Sequence, residues 1–163
     1  MSSLSKGAAL FLATLFALGC ASAYDQTYQR ETDRLEGERK ARQAEDRAAH
    51  AEASRYAAVV YFDVGSSVIK PAGYQELDWF IQQMEPFPKA IIEVNGFADA
   101  TGGDTVNQRI SAERAENVTR YLVSRGIQQS QIAPLGFASE FPAKSNETSA
   151  GRKSNRRVEV TVR

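Results

Sequence analysis

The hydrophobic pattern changes several times along the chain, and each change predicts an element. Gly7 to Gly19 is a nearly continuous apolar run. From Tyr24 to about Arg55 the apolar positions thin out to Tyr24, Tyr28, Leu35 and scattered alanines among Arg, Glu and Asp, with no Pro and a single Gly at Gly37. Opposite charges at helical spacing, such as Glu31 with Arg34 and Glu38 with Arg42, predict a solvated helix. The apolar positions sustain no heptad, so the pattern is not that of a coiled coil. At 1.5 Å per residue this helix would reach roughly 50 Å and act as a spacer.

Periodicity returns at Ala57 to Asp63, a predicted strand followed by a turn at Gly65 and Ser66. Pro71 can start a helix whose Leu77, Phe80, Ile81 and Met84 make one buried face, and Pro86 with Pro88 closes it. Ile91 to Val94 predicts a second strand, and Gly96, Gly102 and Gly103 punctuate the loop after it. Asp104 or Thr105 can cap the helix that follows, and Gly126 ends that helix as a left-handed cap. Ile132 to Phe137 reads as a third strand and the stretch through Pro142 and Asn146 as a long polar loop. The last strand, Val158 to Val162, alternates with Val158, Val160 and Val162 facing in. Strands alternating with helices over roughly 105 residues predict a two-layer α/β domain with a mixed sheet. The expected division is 1–19 signal segment, 20–55 N-terminus and charged helical linker, and 56–163 globular domain.

Composition narrows the partners. The chain has 163 residues, 25% of them charged, with a formal net charge of zero, which argues against a nucleic-acid binder. Lys6 before the apolar run, itself too short to span a bilayer, makes residues 1–19 a targeting segment. Phe16, Ala17, Leu18, Gly19 and Cys20 look like a bacterial lipobox, in which the cysteine takes a diacylglycerol and becomes the new N-terminus. The alternative is an ordinary cut after Ala21, Ser22 and Ala23, which would discard Cys20. Cys20 is the single cysteine of the chain and directly follows a small residue at the end of the apolar run, which favours lipidation; it also excludes an internal disulfide. Ala21 follows it where Asp would signal inner-membrane retention, so the expected location is the bacterial outer membrane, with the domain facing the periplasm.

The candidate chemistry lies between Ile91 and Tyr121. On the central helix Ile110, Val118 and Leu122 want a core, while Asn107, Ser111 and Arg114 share another side. Asp99, in the loop before the helix, can be brought near that side. A carboxylate and a guanidinium facing one space suit a zwitterion, Arg114 gripping its carboxylate and Asp99 accepting from its ammonium. The alternative is that Asp99 and Arg114 pair with each other.

Asp99, Gly102, Asn107, Ile110, Ser111, Arg114 and Ala115 fall at the spacing TDxxGxxxxNxxLSxxRA, which resembles the OmpA C-terminal-like family, a family that includes peptidoglycan-associated lipoproteins. Asn146, Gly151, Arg152, Asn155, Arg156, Arg157, Val158 and Glu159 resemble its closing NxxxxGRxxNRRVE. Tyr61, Phe62, Asp63, Ser67 and Pro71 are similar to its opening YFDxxSxxxxP. The resemblance runs from about Val59 to the end, with Ala98 and Phe97 standing where the family usually has Thr and His or Tyr. It implies an OmpA-like fold without catalysis or cofactor, and a partner in peptidoglycan, whose stem-peptide diaminopimelate is held by Asp99 and Arg114. By the same resemblance Asn107 and Arg156 contribute at the rim, and Phe62 and Asp63 more weakly.

Two rival chemistries are weak. His50, the single histidine, lies among charges with no second His or Cys nearby, which suits a surface residue and not a metal ligand. Ser67, Val68, Ile69 and Lys70 match the SxxK nucleophile motif, but Ser3 to Lys6 match it too and no KTG follows. Ser67 is therefore expected to serve the turn after the first strand. The reading is a lipid-anchored outer-membrane protein that tethers the membrane to the cell wall. The alternative is a regulatory envelope lipoprotein of the same fold acting mainly through a protein partner.

Overall fold

The computed structural model describes the backbone of residues 4–163 and the side chains of residues 24–163. The expected signal segment, residues 1–19, and Cys20 lie outside the described side chains. The chain divides into two units, Met1–Arg47 and Ala48–Arg163. The first is helical throughout its described length, within α1 (Leu4–Ala53). Its described side chains are almost all exposed, and Arg34 pairs with Glu31 at 2.5 Å and with Glu38 at 2.9 Å. Each such solvated pair contributes only a few tenths of a kcal/mol, so the helix rests on many small terms and not on a packed face. Among the described residues no helix is long and apolar enough to cross a membrane.

The second unit carries β1 (Ala57–Tyr61), α2 (Pro71–Met84), β2 (Ile92–Gly96), α3 (Asp104–Ser124), a 3₁₀ turn at Gln129–Gln131, β3 (Ile132–Gly136), α4 (Ser149–Asn155) and β4 (Arg157–Val162). The four strands form one mixed sheet in the order β1-β4-β2-β3. β4 runs antiparallel to both β1 and β2, while β2 and β3 are parallel. α2 packs on β1, and α3 lies across β2, β3 and β4. The buried faces of these two helices, Leu77, Phe80 and Met84 with Ala115, Val118 and Leu122, meet Val60, Ile92, Val94, Val158 and Val160 of the sheet in one core. Pro71 sits in the first turn of α2, where its missing N–H costs nothing.

α3 ends where expected. Gly126, at φ +105°, lets its own N–H reach Val123 O and that of Ile127 reach Leu122 O, so two orphan carbonyls are satisfied. Its start differs from expectation: Gly103 is the N-cap and no side chain caps the helix, Asp104 lying inside the first turn. The polar stretch expected as one loop also contains α4. Thr148 caps α4 by accepting from Gly151 N–H at 3.0 Å. Residues such as Ser, Gly and Asn hide so short a helix from propensity, and tertiary hydrogen bonds secure it.

Candidate functional site

The functional candidates gather where β1 and β2 end and β4 begins. β1 runs out into Phe62 and Asp63, β2 into Phe97, Ala98 and Asp99, and α4 delivers Arg156 to the start of β4. Ala98 N–H donates to Ala138 O at 2.6 Å, tying the loop after β2 to the one after β3. Phe97 stacks on Phe137 with ring centroids 5.5 Å apart, and the Arg157 guanidinium covers the Phe97 ring at 4.0 Å. The aromatic side chain at position 97 therefore packs in the wall of the site.

Asp99 is 4% exposed and its carboxylate faces Arg156, whose Nη1 donates to Oδ2 at 2.7 Å. Oδ1 accepts from the Thr101 backbone N–H at 3.0 Å and from the Thr101 hydroxyl. Burial works to raise the Asp99 pKa. Hydrogen bonds from Thr101 and Arg156 outweigh it and hold the carboxyl below its usual range, so it is ionised at neutral pH. Among the described residues no ion pair joins Asp99 to Arg114. That corrects the mutual-pair alternative, since the partner of Asp99 is Arg156.

Arg114 is 1% exposed and donates to three backbone carbonyls: Nε to Ser66 O at 2.9 Å, Nη1 to Phe97 O at 2.9 Å, and Nη2 to Asp63 O at 3.1 Å. Its guanidinium also lies 5.1 Å from the Phe62 ring centroid. Burial pushes its pKa down to about 10, with Asp99 nearby opposing the shift, so it remains charged at neutral pH. Arg114 thus sutures the β1 exit to the β2 exit from below, a structural role that the expectation of a freely facing charge missed. Phe62, itself 1% exposed, lends its carbonyl to Arg156 Nε at 3.1 Å.

The other candidates divide. Asn107 is buried one turn into α3 beside Gly102, where a Cβ would stand 3.4 Å from its Oδ1. Asp63 keeps an exposed carboxylate paired with Lys70 Nζ at 3.0 Å, which lowers its pKa. That pairing also occupies the lysine of the SxxK match. The turn hydroxyl is Ser66 Oγ, which accepts from Val68 N–H at 3.1 Å, and not Ser67, whose carbonyl instead accepts from Asn117. Ser111 Oγ donates to Gln108 O and accepts from Ala138 N–H, both at 3.0 Å, and so faces the fold.

Sequence reasoning missed the clamp behind Asp99. Asn146 Oδ1 accepts from Ala100 N–H at 3.1 Å and from Asn155 Nδ2 at 2.8 Å, and Asn155 also bonds both backbone polar groups of Lys144. Only the presence of two asparagines in the closing motif signalled it. Among the described residues no cluster of His, Cys, Asp or Glu could hold a metal ion.

An ionised carboxylate has about four acceptor positions and a guanidinium five N–H donors. Asp99 thus retains one acceptor position and Arg114 two donors beyond the bonds described. An unused acceptor on a carboxylate suits an ammonium, and unused donors on a guanidinium suit a carboxylate.

The OmpA family model matches residues 61–156. The Escherichia coli protein named Probable lipoprotein YiaD is 38% identical over 103 residues, covering 63% of this chain and 47% of its own length. The peptidoglycan-binding protein ArfA of Mycobacterium tuberculosis is 39% identical over 104 residues, 64% of this chain and 32% of its own length. The chain therefore spans less than half the length of these relatives. The crystal structure of the peptidoglycan-associated lipoprotein from Burkholderia pseudomallei superposes with a TM-score of 0.62 at 25% identity, over 65% of this chain and 90% of that one.

Proposed function

Because the chain belongs to the OmpA family, we propose that it is a non-enzymatic cell-envelope protein whose domain binds peptidoglycan non-covalently through the diaminopimelate of the stem peptide. The observation that carries this reading is the spare capacity of Asp99 and Arg114, matched to the ammonium and carboxylate of an amino acid group. Relatives and structural neighbours that are named for peptidoglycan binding or association support it. The more exposed partner in the Asp99–Arg156 pair is Arg156, with a side chain 11% exposed against 5%. Its withdrawal opens the carboxylate to the ligand ammonium, so one cation replaces another at Asp99.

The test is co-sedimentation of the detergent-solubilised full chain with purified peptidoglycan. Removing one partner of a buried charge pair costs roughly 2 to 5 kcal/mol, so Asp99→Asn is expected to bind about thirty-fold more weakly or worse. Wall binding by Asp99→Asn equal to that of the unsubstituted chain would refute the assignment. No wall binding by the unsubstituted chain would favour action through a protein partner.

We further propose that Cys20 is lipidated after removal of residues 1–19 and anchors the protein in the outer membrane, the domain reaching the wall from the charged helix. At about 0.8 kcal/mol per buried methylene, several acyl chains make such anchoring effectively permanent. Cells fed a clickable fatty acid are expected to label the chain, and Cys20→Ser is expected to abolish the label. An unlabelled wild-type chain would point instead to cleavage after Ala23.

A further inference from the structure

The charged helix ahead of the domain carries an apolar stripe along one side. Tyr24, Tyr28, Thr32 and Leu35 recur at intervals of four, four and three, which puts them on one side of α1. Tyr28, Thr32 and Leu35 line one shallow groove along the helix, with Glu31, Glu36 and Arg39 on its banks. Tyr24, Tyr28 and Leu35 are 76%, 61% and 52% exposed, a large apolar surface for one short segment. The Thr32 hydroxyl donates to Tyr28 O at 2.8 Å, so its polar group is spent within the helix and its methyl is left to the stripe. Glu31, at the margin, is paired with Arg34 at 2.5 Å.

The stripe stops at Leu35, and Gly37 follows it. Beyond Gly37 the same side of the helix carries Arg39, Arg42 and Asp46. A Cβ on Gly37 would meet nothing within 4 Å, so no close approach of another element calls for glycine there. What glycine supplies is the weakest backbone in this stretch of helix, the position where its axis bends most readily.

Four residues lead from Cys20 to Tyr24, about 6 Å along a helix. The polar layer of one leaflet is roughly 5 to 8 Å deep. On a helix standing upright from a lipid at Cys20, only Tyr24 would touch that layer. Tyr28 would stand about 12 Å out and Leu35 about 22 Å out, both in water. We infer that α1 from Tyr24 to Leu35 lies along the membrane surface, its stripe seated among lipid headgroups, and that the helix turns away into water at Gly37. This placement rests on the lipidation of Cys20 proposed above and deepens it by a second, non-covalent contact with the same membrane. Tyrosine suits that level, with an apolar ring to bury and a hydroxyl that stays hydrated. From Tyr24 to Glu36 the carboxylates Asp25, Glu31, Asp33 and Glu36 outnumber Arg30 and Arg34. The excess of negative charge directs the stripe to a zwitterionic lipid surface in preference to an anionic one. It also opposes side-by-side pairing with a second copy, whose like charges would flank the same stripe.

Vesicles of brominated phosphatidylcholine test this, because bromine on the acyl chains quenches a tryptophan seated among them. Trp79→Phe removes the one tryptophan of the chain. On that background two reporters are built singly, Tyr28→Trp on the stripe and Gln43→Trp beyond Gly37. The full chain is purified with its fatty-acid label and reconstituted in the vesicles. Compared with vesicles without bromine, the Tyr28→Trp reporter is expected to lose about half of its fluorescence and the Gln43→Trp reporter less than about a tenth. Adding Tyr24→Ser and Leu35→Ser should remove most of the quenching at position 28 while leaving the label and the thermal unfolding of the domain unchanged. An unquenched Tyr28→Trp reporter in a labelled chain that floats with the vesicles overturns the surface contact and leaves the lipid anchor standing; self-association of that chain would then assign the stripe to a second copy. Undiminished quenching after the serine substitutions overturns the stripe, and equal quenching of both reporters overturns the turn at Gly37. A chain that neither carries the label nor floats overturns the anchor and this placement together.

Discussion

Arg114→Ala is expected to destabilise the domain by about 4 kcal/mol, lowering its melting temperature by roughly 15 °C. Three carbonyls, those of Asp63, Ser66 and Phe97, lose their donor at once, and each buried acceptor left unpaired costs about 1 to 3 kcal/mol. The truncation also empties the volume of a side chain that is 1% exposed and removes its contact with the Phe62 ring. Against a typical total of about 5 to 15 kcal/mol, this is a large fraction. Arg114→Met separates the contributions, since it keeps most of the volume and no donor. If the carbonyls dominate, Met should be nearly as damaging as Ala. Arg114→Lys should fall between, because one compact ammonium cannot serve three diverging acceptors. Thermal unfolding of the three variants decides it, and a Met variant as stable as the unsubstituted chain would dismiss the suture. The consequence for function is practical. Loss of wall binding in Arg114→Ala or in Asp99→Asn is assigned to ligand contact only where the folded fraction is measured on the same sample, because both side chains are buried and bonded within the fold.

The second large effect lies where α3 crosses the sheet. Gly96 and Gly136 are register partners in the parallel pair β2–β3, and α3 covers both, Gly96 lying under Ser111 and Ala115 and Gly136 under Ser111 and Ala112. A Cβ on Gly96 would stand 2.1 Å from Ser111 O, and one on Gly136 would stand 2.8 Å from Ala112 N. The obstacles are backbone atoms, so no side-chain rotation relieves them. Helix and strand would have to separate by an ångström or so. Gly96→Ala is therefore expected to cost about 3 kcal/mol or more, the range of severe overpacking, with Gly136→Ala milder. Because α3 also carries Arg114, the shift should loosen the loop around Asp99 as well. Hydrogen exchange should speed up there along with a melting temperature lowered by roughly 10 °C. Melting within about 2 °C of the unsubstituted chain would show that the layers can part without cost.

These glycines mark the boundary between what local pattern carries and what packing adds. Gly96 was legible as punctuation at the exit of a strand, yet it lies inside β2, and its role is to let a helix come close. Chain-local rules found the elements themselves: Pro71 opens α2, the alternating valines form β4, and Gly126 closes α3. Each depends on steric preferences or periodicities acting over a few residues, and those are written in the order of the chain. The motif spacings likewise brought Asp99, Arg114, Asn107, Arg156, Phe62 and Asp63 into consideration, and the fold gathers all six around one end of the sheet.

Which of those groups touch each other was a different matter. Asp99 finds Arg156 from 57 positions away, while the nearer Arg114 goes to carbonyls 17, 48 and 51 positions from it. Every residue has a carbonyl, so an acceptor of that kind leaves no signature in residue type, and charge alone could not say whether Arg114 faced a ligand or the backbone. The Asn146–Asn155 clamp and α4 were hidden for the same reason, being held by tertiary hydrogen bonds in a stretch of weak helix formers. Local preferences and periodicity set the layers, the core faces and the inventory of charges at the site. The tertiary structure alone decided how those charges pair, because pairing depends on where distant loops deliver their backbone polar groups.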